Sequence, residues 1–252
     1  MRVFITGASS GLGRALAAYY DGRGATLGLA ARRGDELQAF ASGARSPCSI
    51  YPLDVRDAHA LRDAAAHFMA THGCPDIVLA NAGMSIGTDA QRAADLDVFR
   101  EVIDVNLMGT VNTFQPFIDA MRANRAGVLA GIASVAGYRG LPGAAAYSAS
   151  KAGVIAYLES TRVELYGSGV SVSTICPGYI ATAMTERNPY PMPFMMSAER
   201  AASKIAAAID RRRAYVVMPW QMAIVARALR VMPNALFDRV FSRAPRKPRR
   251  EA

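Results

Sequence analysis

The chain has 252 residues, 52% of them hydrophobic and 19% charged, which is typical of a soluble globular protein with a large core. Its formal net charge of +9 comes entirely from residues 211–252, because residues 1–210 carry 18 basic and 18 acidic side chains. We therefore expect no nucleic-acid binding, since that function places the basic surface on the main domain. The three cysteines, Cys48, Cys74 and Cys176, are too widely spaced to predict a disulfide framework or a metal site, so no bound metal is expected.

Short apolar and β-branched runs alternate with longer helical patterns over residues 1–218. This alternation predicts right-handed βαβ units, and hence a single α/β domain with a doubly wound parallel sheet of about seven strands and helices on both faces. The predicted strands are 2–6, 26–31, 48–53, 76–80, 127–133, 170–176 and 214–218. The predicted helices are 11–23, 35–42, 57–72, 96–123, 147–167 and 198–210.

The first predicted strand ends in a glycine-rich turn, and a predicted helix follows directly. Gly7 permits a tight turn, Gly11 lets the backbone approach a pyrophosphate, and Gly13 lets helix and strand pack closely. The helix N-terminus attracts the phosphates. The pattern predicts a Rossmann-type dinucleotide site, with a flexible surface turn as the alternative. The expected contacts are Gly7, Ser9, Ser10, Gly11, Leu12 and Gly13.

Two arginines, Arg32 and Arg33, follow the second predicted strand, where an NAD site offers an acidic residue to the ribose 2′-hydroxyl. A guanidinium instead suits a 2′-phosphate, and one such charge-assisted contact contributes about 1.5–3 kcal/mol. The pair favours NADP(H), with NAD as the alternative cofactor. The competing interpretation is a pair of solvated arginines at the start of a surface helix.

Three residues form a candidate catalytic group. Ser134 follows the predicted strand 127–133, and Tyr147 and Lys151 lie four residues apart at the start of a long predicted helix, on one of its faces. A phenol with a pKa of about 10 is a poor acid–base catalyst at neutral pH. An adjacent ammonium would favour the phenolate and lower that pKa. The alternative is a turn serine beside an ordinary amphipathic pair.

The spacing TGxxxGxG, with Asp54-Val55 after the third strand and Asn81-Ala82-Gly83 after the fourth, resembles the short-chain dehydrogenase/reductase family over residues 1–218. Ala80 stands where that family often has a second Asn. The resemblance implies hydride transfer between a nicotinamide cofactor and a carbonyl or alcohol. It adds these cofactor contacts: Asp54, Val55, Asn81, Ala82, Gly83, Tyr147, Lys151, Pro177, Gly178, Ile180 and Thr182.

The same resemblance implies roles for four residues. Tyr147 would donate a proton to the carbonyl oxygen, and Ser134 would hydrogen-bond that oxygen and stabilise developing charge. Lys151 would lower the tyrosine pKa and hold the nicotinamide ribose. Asn106 would anchor a water-linked proton relay to the lysine.

The segment 183–196 is rich in methionine and aromatic residues, which form adaptable apolar walls. We expect an apolar ketone or alcohol as substrate, because no charged side chain is evidently aimed at the reacting centre. Plain packing is the alternative role of this segment. The candidate substrate contacts are Ser85, Val135, Tyr138, Met184 and Phe194.

Residues 219–252 depart from the family and form a basic C-terminal extension of the same domain, predicted as two amphipathic helices split at Pro233. Three interpretations compete: a lid over the substrate mouth, a subunit contact, or a helix lying on anionic lipid. Family members are often tetramers, and we expect a homodimer or homotetramer here.

The location is predicted to be cytoplasmic, with peripheral membrane contact as a variant. Met1 runs directly into the apolar Val3–Ile5 with no charged leader, and no stretch approaches the roughly 18 apolar residues that span a bilayer. The competing function is a catalytically silent NADP-binding regulator or a membrane-surface adaptor. Such a regulator would normally lack Tyr147 or Lys151, and both are present.

Overall fold

A seven-stranded parallel sheet runs through the structure, a computed structural model that describes residues 1–186 and 188–250. The strands are β1 (Arg2–Thr6), β2 (Thr26–Ala31), β3 (Cys48–Pro52), β4 (Ile77–Ala80), β5 (Gly127–Ile132), β6 (Val170–Pro177) and β7 (Tyr215–Met218). They lie in the order β3-β2-β1-β4-β5-β6-β7, and each neighbouring pair is parallel. The predicted doubly wound α/β fold is confirmed.

Helices cover both faces of this sheet. They are α1 (Gly11–Asp21), α2 (Gly34–Ser42), α3 (Ala58–His72), α4 (Leu96–Ile103), α5 (Gly109–Ala123), α6 (Ala145–Glu164), α7 (Ala183–Glu186), α8 (Ala198–Asp210), α9 (Trp220–Val231) and α10 (Asn234–Phe241). Successive strand residues point to opposite faces, so β1 contributes to two cores. Val3 and Ile5 pack with α1 and α8, whereas Phe4 packs with α3 and α5.

The prediction of one regular helix over residues 96–123 was wrong in its middle. A π-helical turn over Asp104–Met108 separates α4 from α5. Such a turn inserts one extra residue into the helix and is often found at functional sites. Here it contains Asn106, which is fully buried and bonded to the main chain of Met84. Periodicity alone cannot reveal this insertion, because the flanking helices remain regular.

The last two helices separate at Pro233, as the sequence predicts. Met222 of α9 and Phe237 of α10 are buried. Met222 packs against Gly178, where a Cβ would lie 2.7 Å from Cγ of the methionine, so the absence of a side chain at this glycine makes room for it. Several apolar side chains remain exposed on these helices: Trp220, Ile224, Val231, Leu236 and Val240. The predicted subunit contact and lipid contact stay predictions. None of the helices within the described ranges combines the length and apolar character that crossing a bilayer requires.

One arginine joins the two final helices to the main sheet. Arg139, in the loop after β5, donates to the carbonyl of Leu229 at 2.8 Å, to the carbonyl of Met232, and to Oδ1 of Asn234 at 2.8 Å. Its guanidinium carbon also lies 4.1 Å from the centroid of the Phe237 ring. These contacts satisfy carbonyls that the end of α9 leaves unpaired and cover the buried ring of α10.

Residues 244–250, which we call the C-terminal strap, cross back over the carboxyl edge of the sheet. The Gly87 N–H donates to the Pro248 carbonyl at 2.9 Å, and a Cβ at Gly87 would lie 2.2 Å from the Lys247 carbonyl oxygen. The strap forms three ion pairs with acidic residues of the segment 89–101. They are Arg246–Asp89 at 3.1 Å, Arg249–Asp95 at 2.6 Å and Arg250–Glu101 at 2.8 Å. Much of the strap's positive charge is therefore matched within the molecule.

We predict that Arg139→Ala destabilises the packing of α9 and α10 while the sheet remains folded. The substitution removes several hydrogen bonds to a charged donor, and one such bond contributes about 1.5–3 kcal/mol. Hydrogen exchange should accelerate in the last turn of α9 and in α10, and the free energy of unfolding should fall by about 2 kcal/mol. Arg243→Ala, which removes an exposed arginine of the same tail, is the control. Unchanged exchange in α10 of the Arg139 variant would contradict this assignment.

Candidate active site

The strand order reverses between β1 and β4, and a cavity of about 370 Å³ opens at their carboxyl ends. All the predicted cofactor contacts line this first cavity. They are Gly7, Ser9, Ser10, Gly11, Leu12, Gly13, Arg32, Arg33, Asp54, Val55, Asn81, Ala82, Gly83, Tyr147, Lys151, Pro177, Gly178, Ile180 and Thr182. Ser134 lines it as well. The fold thus brings together residues from seven separate segments of the chain.

The glycine-rich turn leaves room for a bound group. Gly7 has φ +69 and Gly11 has φ +52, backbone conformations that favour glycine. A Cβ at Gly13 would lie 2.2 Å from the Gly7 carbonyl oxygen, so only glycine lets α1 begin this close to β1. A Cβ at Gly11 would lie 3.1 Å from Cγ2 of Thr182, which brings the loop after β6 to the same place. The first residues of α1, Gly11, Leu12 and Gly13, line this space, and the N–H groups of a helix N-terminus suit a pyrophosphate.

The end of β2 carries the two predicted phosphate-binding arginines. Both side chains are exposed at the rim of the first cavity, and Nη2 of Arg33 donates to Oγ of Ser9 at 3.1 Å. Asp54 lies nearby but is already engaged by Arg56 at 2.7 Å, which lowers the pKa of its carboxyl. Two guanidinium groups and a serine hydroxyl therefore stand together at this rim, and such donors are suited to a phosphate group.

The fourth strand holds the glycine-rich turn in position. Nδ2 of Asn81 donates to the carbonyl of Thr6 at 3.1 Å and to the carbonyl of Gly7 at 3.3 Å. Two residues later, a Cβ at Gly83 would lie 3.2 Å from Oδ1 of Asn106 and 3.5 Å from Nζ of Lys151. Asn81 therefore links the end of β4 to the glycine-rich turn, and Gly83 lets the chain after β4 pass close to Asn106 and Lys151.

Asn106 connects the π-helical turn to α6, the helix that carries Tyr147 and Lys151. Its Oδ1 accepts from the Met84 N–H at 2.8 Å, and its Nδ2 donates to the Met84 carbonyl at 3.0 Å and to Oγ of Ser150 at 2.9 Å. Ser150 in turn donates to the Tyr147 carbonyl at 2.8 Å. Ser150 is a residue of this site that the sequence motifs did not indicate. Its position next to Lys151 is the signal that could have indicated it.

Ser134, Tyr147 and Lys151 meet at the inner end of the first cavity. Ser134 is buried at the end of β5, where its Oγ accepts from the Ala136 N–H at 3.1 Å. Lys151 is 4% exposed and its Nζ donates to the Ile132 carbonyl at 2.8 Å. That Nζ lies 5.8 Å from the centroid of the Tyr147 ring. Tyrosine and lysine therefore occupy one face of α6, as their spacing predicts.

Burial dominates the titration of both groups. Desolvation lowers the pKa of Lys151 to about 8, because the ammonium is taken out of water. Desolvation also raises the pKa of Tyr147, and the Ser134 hydroxyl opposes this shift. The expectation of a lowered tyrosine pKa considered only the neighbouring positive charge. In the protein alone, loss of solvent acts in the opposite direction.

A second cavity of about 380 Å³ adjoins the first, and Ala183 and Met184 line both. Ser85 and Lys247 lie on its wall. Nζ of Lys247 lies 2.8 Å from Oγ of Ser85 and 5.9 Å from the centroid of the Tyr147 ring. The expectation that no charged side chain approaches the reacting centre was wrong, because the strap returns to the site from the far end of the chain.

Three other predicted substrate contacts lie apart from these two cavities. The ring of Tyr138 lies 6.4 Å from that of Tyr215 on β7. Val135 belongs to the short 3-10 turn that follows Ser134. Phe194 is half exposed, with φ +60. Among the described residues, Ser85 and Met184 are the predicted substrate contacts that line a cavity.

The chain is similar in sequence and in structure to known proteins. The family described as short chain dehydrogenase matches residues 1–191, a range that includes every residue lining the first cavity but not the strap. An uncharacterized oxidoreductase of Myxococcus xanthus is 41% identical over 237 residues, covering 93% of this chain and 93% of that protein. The 3-oxoacyl-(acyl-carrier-protein) reductase of Thermotoga maritima is 34% identical over 188 residues, 73% of this chain and 76% of that protein. The crystal structure of a short chain dehydrogenase from Burkholderia cenocepacia in complex with NADP has a TM-score of 0.83 and 26% identity, covering 95% of this chain and 96% of that chain.

The burial of Lys151 predicts a pH-dependent cost to stability. Its pKa is about 8 in the folded chain against an ordinary 10.5, so between these values the unfolded chain binds more protons and the wild-type stability rises with pH. Lys151→Met removes this contribution. The free energy of unfolding of Lys151→Met, relative to that of wild type, should therefore decrease by about 3 kcal/mol as pH rises from about 8 to 10.5. Urea unfolding at a series of pH values measures it.

Lys204→Met, at an exposed lysine of α8, is the matched control for this experiment. Its stability relative to wild type should stay level over the same range of pH. A level difference for Lys151→Met as well would show that the buried amine does not titrate in this window.

Proposed function

This chain belongs to the short-chain dehydrogenase/reductase family, whose members are oxidoreductases acting on CH–OH and C=O groups with nicotinamide cofactors, and we propose that it interconverts a carbonyl compound and its alcohol with NADP(H). The observation that carries the proposal is the meeting of Ser134, Tyr147 and Lys151 beside the glycine-rich turn, within one cavity. A catalytically silent protein would have no need of this group. The oxidoreductase class and the side-chain geometry therefore support one function.

The cofactor supplies or accepts the hydride when it is bound. The glycine-rich turn and the N-terminus of α1 would hold its pyrophosphate, and the loop from Pro177 to Thr182 would hold its nicotinamide end. Lys151 would hold the ribose hydroxyls near the nicotinamide. These assignments leave the space between Tyr147, Ser134 and Met184 for the substrate.

The chain's own residues would supply the proton and stabilise charge. In the reducing direction, the Tyr147 hydroxyl gives its proton to the carbonyl oxygen, and the Ser134 hydroxyl donates a hydrogen bond to the same oxygen. A phenol that burial keeps protonated suits proton donation at neutral pH. The ammonium of Lys151 would stabilise the phenolate that forms. Asn106 would position this helix through Ser150 and anchor a water-linked relay that returns a proton.

The positive charge at the end of β2 supports the proposed preference for NADP(H). Arg33 is held near the turn by its hydrogen bond to Ser9, and Arg32 lies beside it. Two positive groups at this rim favour a 2′-phosphate over a free hydroxyl. The substrate is proposed to have an apolar body, because Met184 supplies an adaptable apolar wall next to the reacting centre.

Tyr147→Phe should abolish turnover while leaving cofactor binding nearly unchanged, because it removes the transferable proton and little else. We expect kcat to fall by at least about 100-fold. The measurement is NADPH oxidation with a panel of aldehydes and ketones, combined with a fluorescence titration of NADPH binding. Tyr157→Phe, on the same helix, is the control and should retain activity. Retention of more than a few per cent of wild-type kcat by Tyr147→Phe would disprove the proton-donor role.

Cofactor preference tests the arginine pair. The wild-type protein should bind NADPH at least about tenfold more tightly than NADH, as one charge-assisted contact implies. The double substitution Arg32→Asp with Arg33→Ala should reverse the preference, since a carboxylate repels a phosphate and accepts from a 2′-hydroxyl. Arg62→Ala, at an exposed arginine of α3, should change neither affinity. Equal wild-type affinities for the two cofactors would show that Arg32 and Arg33 are merely solvated.

A further inference from the structure

The C-terminal strap brings one lysine to the mouth of the proposed active site. Nζ of Lys247 lies 5.9 Å from the centroid of the Tyr147 ring and 2.8 Å from Oγ of Ser85. The side chain lines the second cavity, which shares Ala183 and Met184 with the first. A molecule that reaches Tyr147 from this side therefore passes the ammonium.

The position of Lys247 is fixed from both sides along the strap. Arg246 pairs with Asp89 at 3.1 Å, and Arg249 pairs with Asp95 at 2.6 Å, where the arginine lowers the carboxyl pKa to about 2. Between them, the Pro248 carbonyl accepts from the Gly87 N–H at 2.9 Å. The ammonium is thus held near the tyrosine by main-chain and side-chain contacts that do not involve its own charge.

Lys247 differs from its basic neighbours in its partners. Arg246, Arg249 and Arg250 each pair with a carboxylate, whereas no carboxylate of residues 1–186 or 188–250 forms an ion pair with Lys247. Its closest polar partner is the neutral hydroxyl of Ser85, and an ammonium carries three donors. Desolvation lowers the pKa of Lys247 to about 8, which leaves the amine mostly charged at neutral pH. A half-buried cation that hydrogen-bonds to Ser85 and pairs with no carboxylate of the described residues is suited to an anionic ligand.

We propose that Lys247 and Ser85 form an anion subsite, and that the substrate is a carbonyl compound with a carboxylate or phosphate-like group at one end. This inference rests on the proposed function, because it places the reacting carbonyl at Tyr147 and Ser134. The apolar body of the substrate would lie along Met184, and its anionic end would displace water from the ammonium. The strap then determines specificity without contributing to the proton transfer.

The first test measures binding and needs no turnover. Octanoate, octanamide and octylphosphonate are titrated by calorimetry into the NADP-loaded protein. Wild type should bind octanoate at least about tenfold more tightly than octanamide, and the phosphonate arm shows whether the subsite prefers the larger anion. Lys247→Met should abolish the preference. Arg243→Met removes one exposed cation of the same tail and should keep it.

The second test measures specificity in turnover. A short series of oxo acids is compared with the corresponding methyl esters by NADPH oxidation. Lys247→Met should lower kcat/KM for the acids at least about tenfold while changing the value for the esters less than about twofold. Removal of the whole strap, by truncation after Arg243, should give the same loss of preference. Ser85→Ala should weaken the preference, because the lysine loses its positioning partner.

The outcomes separate this proposal from the proposed function. Equal losses for acids and esters in Lys247→Met would overturn the subsite and indicate a role of the lysine in packing or in tuning Tyr147. The wild-type protein could also turn over esters and neutral ketones while showing no preference for acids over esters or for octanoate over octanamide. That result would overturn the subsite, whereas the proposed oxidoreductase function would stand. Absence of turnover with every carbonyl compound would instead reject the proposed function, and the calorimetric comparison would still decide whether Lys247 binds an anion.

Discussion

The hydrogen bonds of the Asn81 side chain constrain the whole cofactor end of this protein. They tie the end of β4 to the carbonyls of Thr6 and Gly7, residues that lie about seventy-five positions earlier in the chain. Because the turn is held from this side, α1 begins close against β1, and Gly13 is required where a Cβ would meet the Asn81 amide nitrogen at 2.5 Å. The cradle for the pyrophosphate is thus formed by strand packing as well as by the local glycine pattern.

Around Lys151, the burial of an amine opposes the positive charge that the proposed chemistry requires. Lys151 is almost completely buried, and desolvation disfavours its ammonium, yet the proposed chemistry uses that positive charge. The surrounding hydrogen bonds offset part of the cost of burying the amine. The Ile132 carbonyl accepts from the amine, and Asn106 and Ser150 fix the first turn of α6. The site therefore combines stabilised geometry with a group that is costly to bury, as active sites often do.

In the C-terminal strap, charged side chains form ion pairs that hold the segment against the rest of the protein. Its ion pairs with Asp89 and Glu101 are partly exposed, and pairs of this kind each contribute about 0–1 kcal/mol. The more buried Asp95, bonded twice by Arg249, supplies the firmest contact of the strap. The excess positive charge of the chain thus lies in residues 211–252, and acidic residues of the segment 89–101 form ion pairs with part of it.

The sequence by itself determined the parallel α/β architecture and the gathering of the cofactor residues. Both follow from local patterns, because the alternation of elements fixes the topology and the carboxyl ends of parallel strands meet at one edge. It could not reveal the π-helical turn at Asn106, since the flanking helices remain regular, nor the hydrogen bond from Asn106 to Ser150, since that contact joins residues 44 positions apart. Nor could it place Tyr138 against Tyr215, because loop residues have no periodicity that tells where they face. Only the tertiary structure decided the position of Lys247, which meets Ser85 across 162 residues through a strap whose route depends on long-range ion pairs.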